Sequence, residues 1–256
     1  MKMNKYLILL FVGIFLSSCG SDSDNDNGGN DPNDPSAANR LALGASANDL
    51  LSDDEFTTMT IEVIVDEDVQ TSTSALNDLR QFIEDRTFKT SVSITQRSIP
   101  SPGLQPYSTE EVRGIEDDNR TAFNNGSDIA VSVLYLGGSS ENDEGNNVTL
   151  GTAYRNTSIV IYKGTVNRVG AQANTPSAST IESATLQHEF GHLFGLVNLG
   201  TPLQSAHEDE DNAKHCNVEG CLMVASVEFG MGMIGMSQIP PLDDACIQDL
   251  QANGGR

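Results

Sequence analysis

The 256-residue chain has no tryptophan, and aromatic residues make up only 5% of it, which argues against a carbohydrate groove lined by stacked rings. Basic residues are scarce as well: 14 Lys and Arg stand against 36 Asp and Glu, a formal net charge of -22. Nucleic-acid binding needs a basic surface that displaces counterions, so nucleic acid is not an expected partner. The acidic balance favours solubility and attracts cations, calcium among them, but a solvated acidic surface accounts for it more simply. Hydrophobic residues reach only 38%, a deficit that the polar first 55 residues partly explain. Neither a G-x-S-x-G nucleophile elbow, nor a phosphate loop, nor an internal repeat is evident. The length still allows one substantial domain with its own core.

The N-terminus carries an address. Lys2 and Lys5 precede an apolar run, Tyr6 to Leu16, that is too short to span a bilayer as a helix. Leu16-Ser17-Ser18-Cys19 follows and resembles the bacterial lipobox. The resemblance implies a lipoprotein signal peptide over residues 1–18, cleavage before Cys19, and membrane attachment through lipid on that cysteine. Residues 19–55, rich in Ser, Asp, Asn, Gly and Pro over much of their length, read as a flexible acidic tether, with the folded domain over 56–256. Asp22, Asp24 and Asp26 resemble the acidic export signal of Bacteroidetes surface lipoproteins, which implies display on the outer membrane. With Cys19 assigned to lipid, Cys216, Cys221 and Cys246 remain, so at most one disulfide forms within the domain.

Hydropathy patterning gives the order of elements. Thr57 to Val65 alternates as a half-buried strand; Ser74 to Arg86 has helical spacing; Ser91 to Ile99 alternates again. Ser108 and Glu111 form a capping-box pattern, and Ile129 to Leu136 is a strongly apolar strand. Thr149 to Tyr154 and Ile159 to Lys163 are predicted as two further strands, with an acidic exposed loop before them. A long helix is expected after Pro176, opened by Thr175-Pro176 or Ser179 and running through His192. This order predicts an α+β domain with a mixed sheet.

All four histidines, His188, His192, His207 and His215, fall within residues 188–215. His188-Glu189-Phe190-Gly191-His192 is an H-E-x-x-H sequence. On a helix, positions i and i+4 stand one above the other, so both imidazoles can reach one metal ion. Glu189 lies one step round, where a carboxylate can act as general base on a metal-bound water.

The longer stretch His188 to Asn198, with Gly195 three residues after His192, resembles the zinc-binding sequence of metzincin metallopeptidases. In that superfamily the glycine ends the helix and lets the chain bring back a third ligand, usually His or Asp at the position of Asn198. Further on, His215-Cys216 and the run to Cys221-Leu222-Met223 resemble the archaemetzincin pattern. The resemblance implies a metzincin-like α+β fold with a twisted mixed sheet, a long active-site helix and a Met-turn at Met223. It also implies one catalytic zinc and a peptide or protein substrate. His215 is the preferred third ligand, ahead of His207 and then Asn198. Archaemetzincins carry in addition a four-cysteine zinc site. Here Asp249 stands at the fourth position, which favours a disulfide, Cys216–Cys221 or Cys216–Cys246, over a structural zinc. The whole pattern is similar to a group of Bacteroidetes lipoprotein metallopeptidases. The expected activity is endopeptidase. The alternatives are a weak or inactive binding lipoprotein, motivated by Asn198, and hydrolysis of a non-peptide amide. The Gly/Met segment Phe229 to Met236 is expected as core or a mobile loop, the resemblance implying a pocket wall as the alternative.

Overall fold

The computed structural model describes residues 34, 36–103, 105–145, 147–228 and 238–256. The signal peptide, Cys19, the export signal and the segment Phe229 to Met236 lie outside the described residues. No helix among the described residues is long and apolar enough to cross a membrane.

Five strands form one mixed sheet in the order β2-β1-β3-β5-β4. They are β1 Thr58–Asp66, β2 Ser91–Ile99, β3 Asp128–Leu136, β4 Gly151–Arg155 and β5 Ser158–Tyr162. The central pairings are parallel, with Thr58 opposite both Ser91 and Asp128, and Ser132 opposite Ser158. Strand β4 runs antiparallel to β5 and forms one edge. Helices α2 (Thr73–Arg86) and α3 (Thr109–Asn119) link the parallel strands, and α3 opens with the capping box Ser108/Glu111. Helix α4 (Lys163–Gly170) follows β5 directly, and α5 (Ala178–Leu193) carries the H-E-x-x-H sequence. This is the α+β class expected from the sequence.

Alternate residues of each central strand enter two separate cores, because successive side chains point to opposite faces. Ile61, Val63, Val131, Val133, Ile159 and Ile161 pack with α2 and α5. Ile64, Leu134, Leu136 and Val160 pack with Tyr107 and Val112. Strand β1 is therefore buried on both faces beyond Thr60, a correction to the half-buried expectation. Its Glu62 tolerates burial because it accepts hydrogen bonds from Thr121, Ala122 and Arg97.

The tether does not reach residue 55. A short 3-10 turn (Ala37–Asn39) and α1 (Ala47–Leu51) already belong to the folded unit, with Leu50 and Leu51 fully buried. Buried Asn39 donates to Asn124, to the Ala130 carbonyl and to Thr157, satisfying polar groups at the end of the sheet. Low apolar content conceals this order, since one side chain with several hydrogen bonds anchors the segment. The same segment braces the end of α5: a Cβ on Gly195 would lie 2.7 Å from the Ala47 Cβ.

Candidate metal centre

Helix α5 begins at an N-cap, Ser177, whose hydroxyl accepts the Thr180 N–H. It ends in a Schellman motif. The Gly195 N–H donates to the His192 carbonyl and the Leu196 N–H to the Gly191 carbonyl, with Gly195 at φ +74°. A side chain at Gly195 would be strained there, which is why the sequence turns away from the helix at this residue.

Within this frame the His188 and His192 Nε2 atoms converge to 3.1 Å. His188 Nδ1–H donates to the Leu222 carbonyl at 2.7 Å, which fixes the tautomer and leaves the Nε2 lone pair facing His192. His215 arrives from the loop after Asn198. Its Nδ1–H donates to the Ala213 carbonyl at 3.2 Å, and its ring centroid lies 5.4 Å from that of His188 and 5.2 Å from that of His192. The His215 loop is pinned by the Asp209 N–H to the His215 carbonyl and the Cys216 N–H to the Met223 carbonyl.

The remaining residues separate. Asn198 is exposed and donates to Glu208. His207 is buried elsewhere, with its Nε2 3.3 Å from Asp249 and 3.7 Å from the Cys246 sulfur. Of the three candidates for third ligand, His215 is the one that the fold places beside His188 and His192. Met223 is fully buried against Gly191. A Cβ on Gly191 would lie 2.2 Å from its sulfur, so Gly191 leaves the space that Met223 fills between the two helical histidines.

Glu189 is placed by the edge strand. Its Oε2 accepts the Ala153 N–H at 2.8 Å, while Oε1 is buried with no hydrogen-bond partner among the described residues. Gly151 permits this approach, because a Cβ there would stand 2.7 Å from Thr185 and 3.1 Å from the Glu189 side chain. Burial, reinforced by the charge of Glu228, pushes the Glu189 carboxyl well above the usual carboxylate range. Burial pulls His188 down to about 4 and His192 well below its ordinary value.

These donors fit a zinc ion. Burial keeps both helical imidazoles neutral, the form that ligates. Two nitrogens bound to one tetrahedral zinc at about 2.0–2.1 Å stand roughly 3.3 Å apart, close to the spacing here. A dication held by the rings also offsets the cost of ionising Glu189. Sequence reasoning missed a fourth group, Glu228, whose carboxylate lies within 4.8 Å of the ligand nitrogens of all three histidines.

A second cluster adjoins the first. Cys216, Cys221 and Cys246 form no disulfide. Their sulfurs and the Asp243 carboxylate all lie within 4.8 Å of one another, and the Cys221 and Cys246 sulfurs are 3.7 Å apart. A disulfide requires about 2.05 Å, whereas sulfurs on one tetrahedral zinc at about 2.3 Å stand roughly 3.8 Å apart. The disulfide expectation is thereby corrected. Hydrogen bonds from Cys221 and Cys246 pull the Cys216 thiol down, which favours its metal-binding thiolate form. Amide N–H groups of Val218 and Met223 point at the Cys216 and Cys221 sulfurs, each at 3.4 Å. Asp243 was also missed; its signal is the helix start Asp243-Asp244-Ala245, where it caps α7 (Asp244–Ala252).

The architecture and the histidine site define a metallopeptidase-like α+β fold. No protein-family model matches the chain, and no curated protein matches it. Solved structures do. Archaemetzincin from Methanopyrus kandleri is similar over 77% of this chain and 96% of its own, at 16% identity and a TM-score of 0.51. A zinc-dependent peptidase from Methanocorpusculum labreanum is similar over 74% and 99%, at 17% identity and a TM-score of 0.47. Metalloproteinase-II from Bacteroides fragilis is similar over 79% and 56%, at 16% identity and a TM-score of 0.42. The first of these similarities gives the chain an archaemetzincin-like fold.

Proposed function

We propose that the protein is a zinc-dependent endopeptidase, with His188, His192 and His215 as metal ligands and Glu189 as general base. The observation that carries this reading is the convergence of three imidazoles beside a carboxylate that has one oxygen fixed and the other unpartnered. When bound, zinc supplies a Lewis acid that activates water and polarises the scissile carbonyl. The Ala153 N–H holds the Glu189 carboxylate in place through Oε2. Oε1 is then left to take the proton of the attacking water and return it to the leaving amine. Strand β4 is the edge of the sheet beside Glu189, and an extended peptide can add to it by backbone pairing.

Glu189→Gln removes the base and keeps every ligand. It should retain zinc while kcat/KM for a peptide falls by about 10²–10⁴. Zinc content and peptide turnover are measured on one preparation, and wild-type turnover in the variant would overturn the mechanism. The binding-only alternative rested on Asn198, and its place outside the site weakens that reading. Hydrolysis of a non-peptide amide would use the same residues, so turnover of such amides without peptide cleavage would replace the endopeptidase assignment.

We also propose a structural zinc on Cys216, Cys221, Cys246 and Asp243, supported by their spacing and by the four-cysteine site of the resembling family. The chain is proposed to be an outer-membrane lipoprotein, anchored through Cys19 and displayed outward by the acidic residues that follow; Lys2, Lys5 and the run ending in Ser18-Cys19 support the anchor. Wild type should partition into detergent and Cys19→Ala should not. Equal partitioning of the two removes the anchor, and resistance to protease shaving on intact cells removes the outward display.

A further inference from the structure

Catalytic zinc sites keep one position open, with three protein ligands and a water or substrate in the fourth place; structural sites close it with protein. Here a fourth protein group stands beside the three histidines. Helix α6 (Ala225–Glu228) begins two residues after Met223 and ends at Glu228, whose Oε2 stands 2.8 Å from His215 Nε2. One Glu228 oxygen and one nitrogen from each of His188, His192 and His215 all lie within 4.8 Å of one another. The side chain is 17% exposed, so it borders the cleft rather than the core. The backbone of the same residue reaches the substrate edge: the Glu228 carbonyl accepts the Leu150 N–H at 3.1 Å, immediately before β4.

We propose that Glu228 is a fourth protein ligand, so that the chain as folded here is a latent, closed form of the enzyme. The inference rests on the zinc-peptidase reading of the three histidines and adds its regulation. Two contacts must break before a substrate can bind in full: the carboxylate must leave the metal, and the Glu228 carbonyl must release the Leu150 N–H. A peptide carbonyl competes for the first place and a peptide backbone for the second. Opening is therefore a displacement of Glu228, with no bond made or broken covalently.

Cobalt(II) in place of zinc makes the coordination visible, and acetohydroxamate serves as an external ligand. Spectra are taken on the full chain, and the absorption lost in His188→Ala reports this centre separately from the cysteine cluster. Wild type should resist hydroxamate. Glu228→Ala and the isosteric Glu228→Gln should each bind it at least tenfold tighter, with an altered cobalt spectrum before hydroxamate is added. Both variants should also hold the metal at least tenfold more weakly. Equal hydroxamate affinity and unchanged cobalt spectra in wild type and both variants would overturn the assignment while leaving the histidine centre standing. A wild type that takes up no cobalt sensitive to His188→Ala would overturn the underlying metal reading, and the Glu228 assignment with it. Thermal unfolding of the metal-free variants controls for misfolding, and the Gln variant decides if the Ala variant is unstable.

Discussion

His188 and His192 are neutral because they are buried, and the pH range of the metal centre follows from that. Metal binds the proton-free ring, so protons compete with it, and release must increase as pH falls. An exposed histidine would begin to compete near its ordinary value of about 6.5. Burial holds His188 down to about 4, so protons compete at that ring only near that pH, and release of the proposed histidine-bound metal should require a pH at or below about 4. Metal content after dialysis at stepped pH measures it; loss already above about pH 6.5 would contradict ligation by these buried rings. The His188/His192 pair was legible in the sequence because helical spacing alone stacks residues four apart. His215 was legible only as the neighbour of Cys216 in a resembling pattern. Glu228 gave no signal, since it closes a four-residue helix and meets its partners only across the fold.

At the scale of elements, the active-site helix is held by a buried ionic group two turns before His188. Glu182 on α5 pairs with Lys163 at the start of α4, and accepts the Tyr135 hydroxyl and the Ser72 N–H. Removing one partner of a buried pair leaves the other charge uncompensated, which costs about 3–5 kcal/mol. Glu182→Ala should lower unfolding free energy by that amount, measured by denaturant titration. Lys163→Met with Glu182→Leu should recover only part of it, because the apolar pair removes the stranded charge but leaves the Tyr135 hydroxyl and the Ser72 N–H without their acceptor. A single variant as stable as wild type would show that the pair does not fix the helix. The strands and α2, α3 and α5 were legible from periodicity and capping. Helix α4 was not: it starts at Lys163, which the apolar pattern assigns to the preceding strand, and contains Gly164, where a Cβ would stand 2.0 Å from the Gly137 carbonyl oxygen.

For the whole molecule, composition placed the domain boundary too late because it weighs apolar content, whereas residues 36–51 are held by Asn39 and by two leucines. The second cluster was misread for a related reason: three cysteines and an aspartate do not pair by count, and only the fold brings α7 to the segment 216–221. Purified protein should carry two zinc ions per chain. Cys246→Ser should lose one and melt at a lower temperature, by several degrees or more, because that ion ties α7 to the loop. His188→Ala should also lose one, with a smaller change in melting. A single zinc in wild type, insensitive to Cys246→Ser, would remove the second site. One stretch of chain serves both ions: His215 and Cys216 are adjacent, Leu222 orients His188, and Cys221 lies beside it. Ordering that stretch is an entropic cost incurred once for two binding events. On the proposed two-zinc reading, the ion that binds first raises the affinity for the other, and the reciprocity of linkage makes the benefit equal in both directions. A variant that loses one ion should therefore still hold the other, but more weakly than wild type does, so that scarcity of zinc empties the crippled chain first.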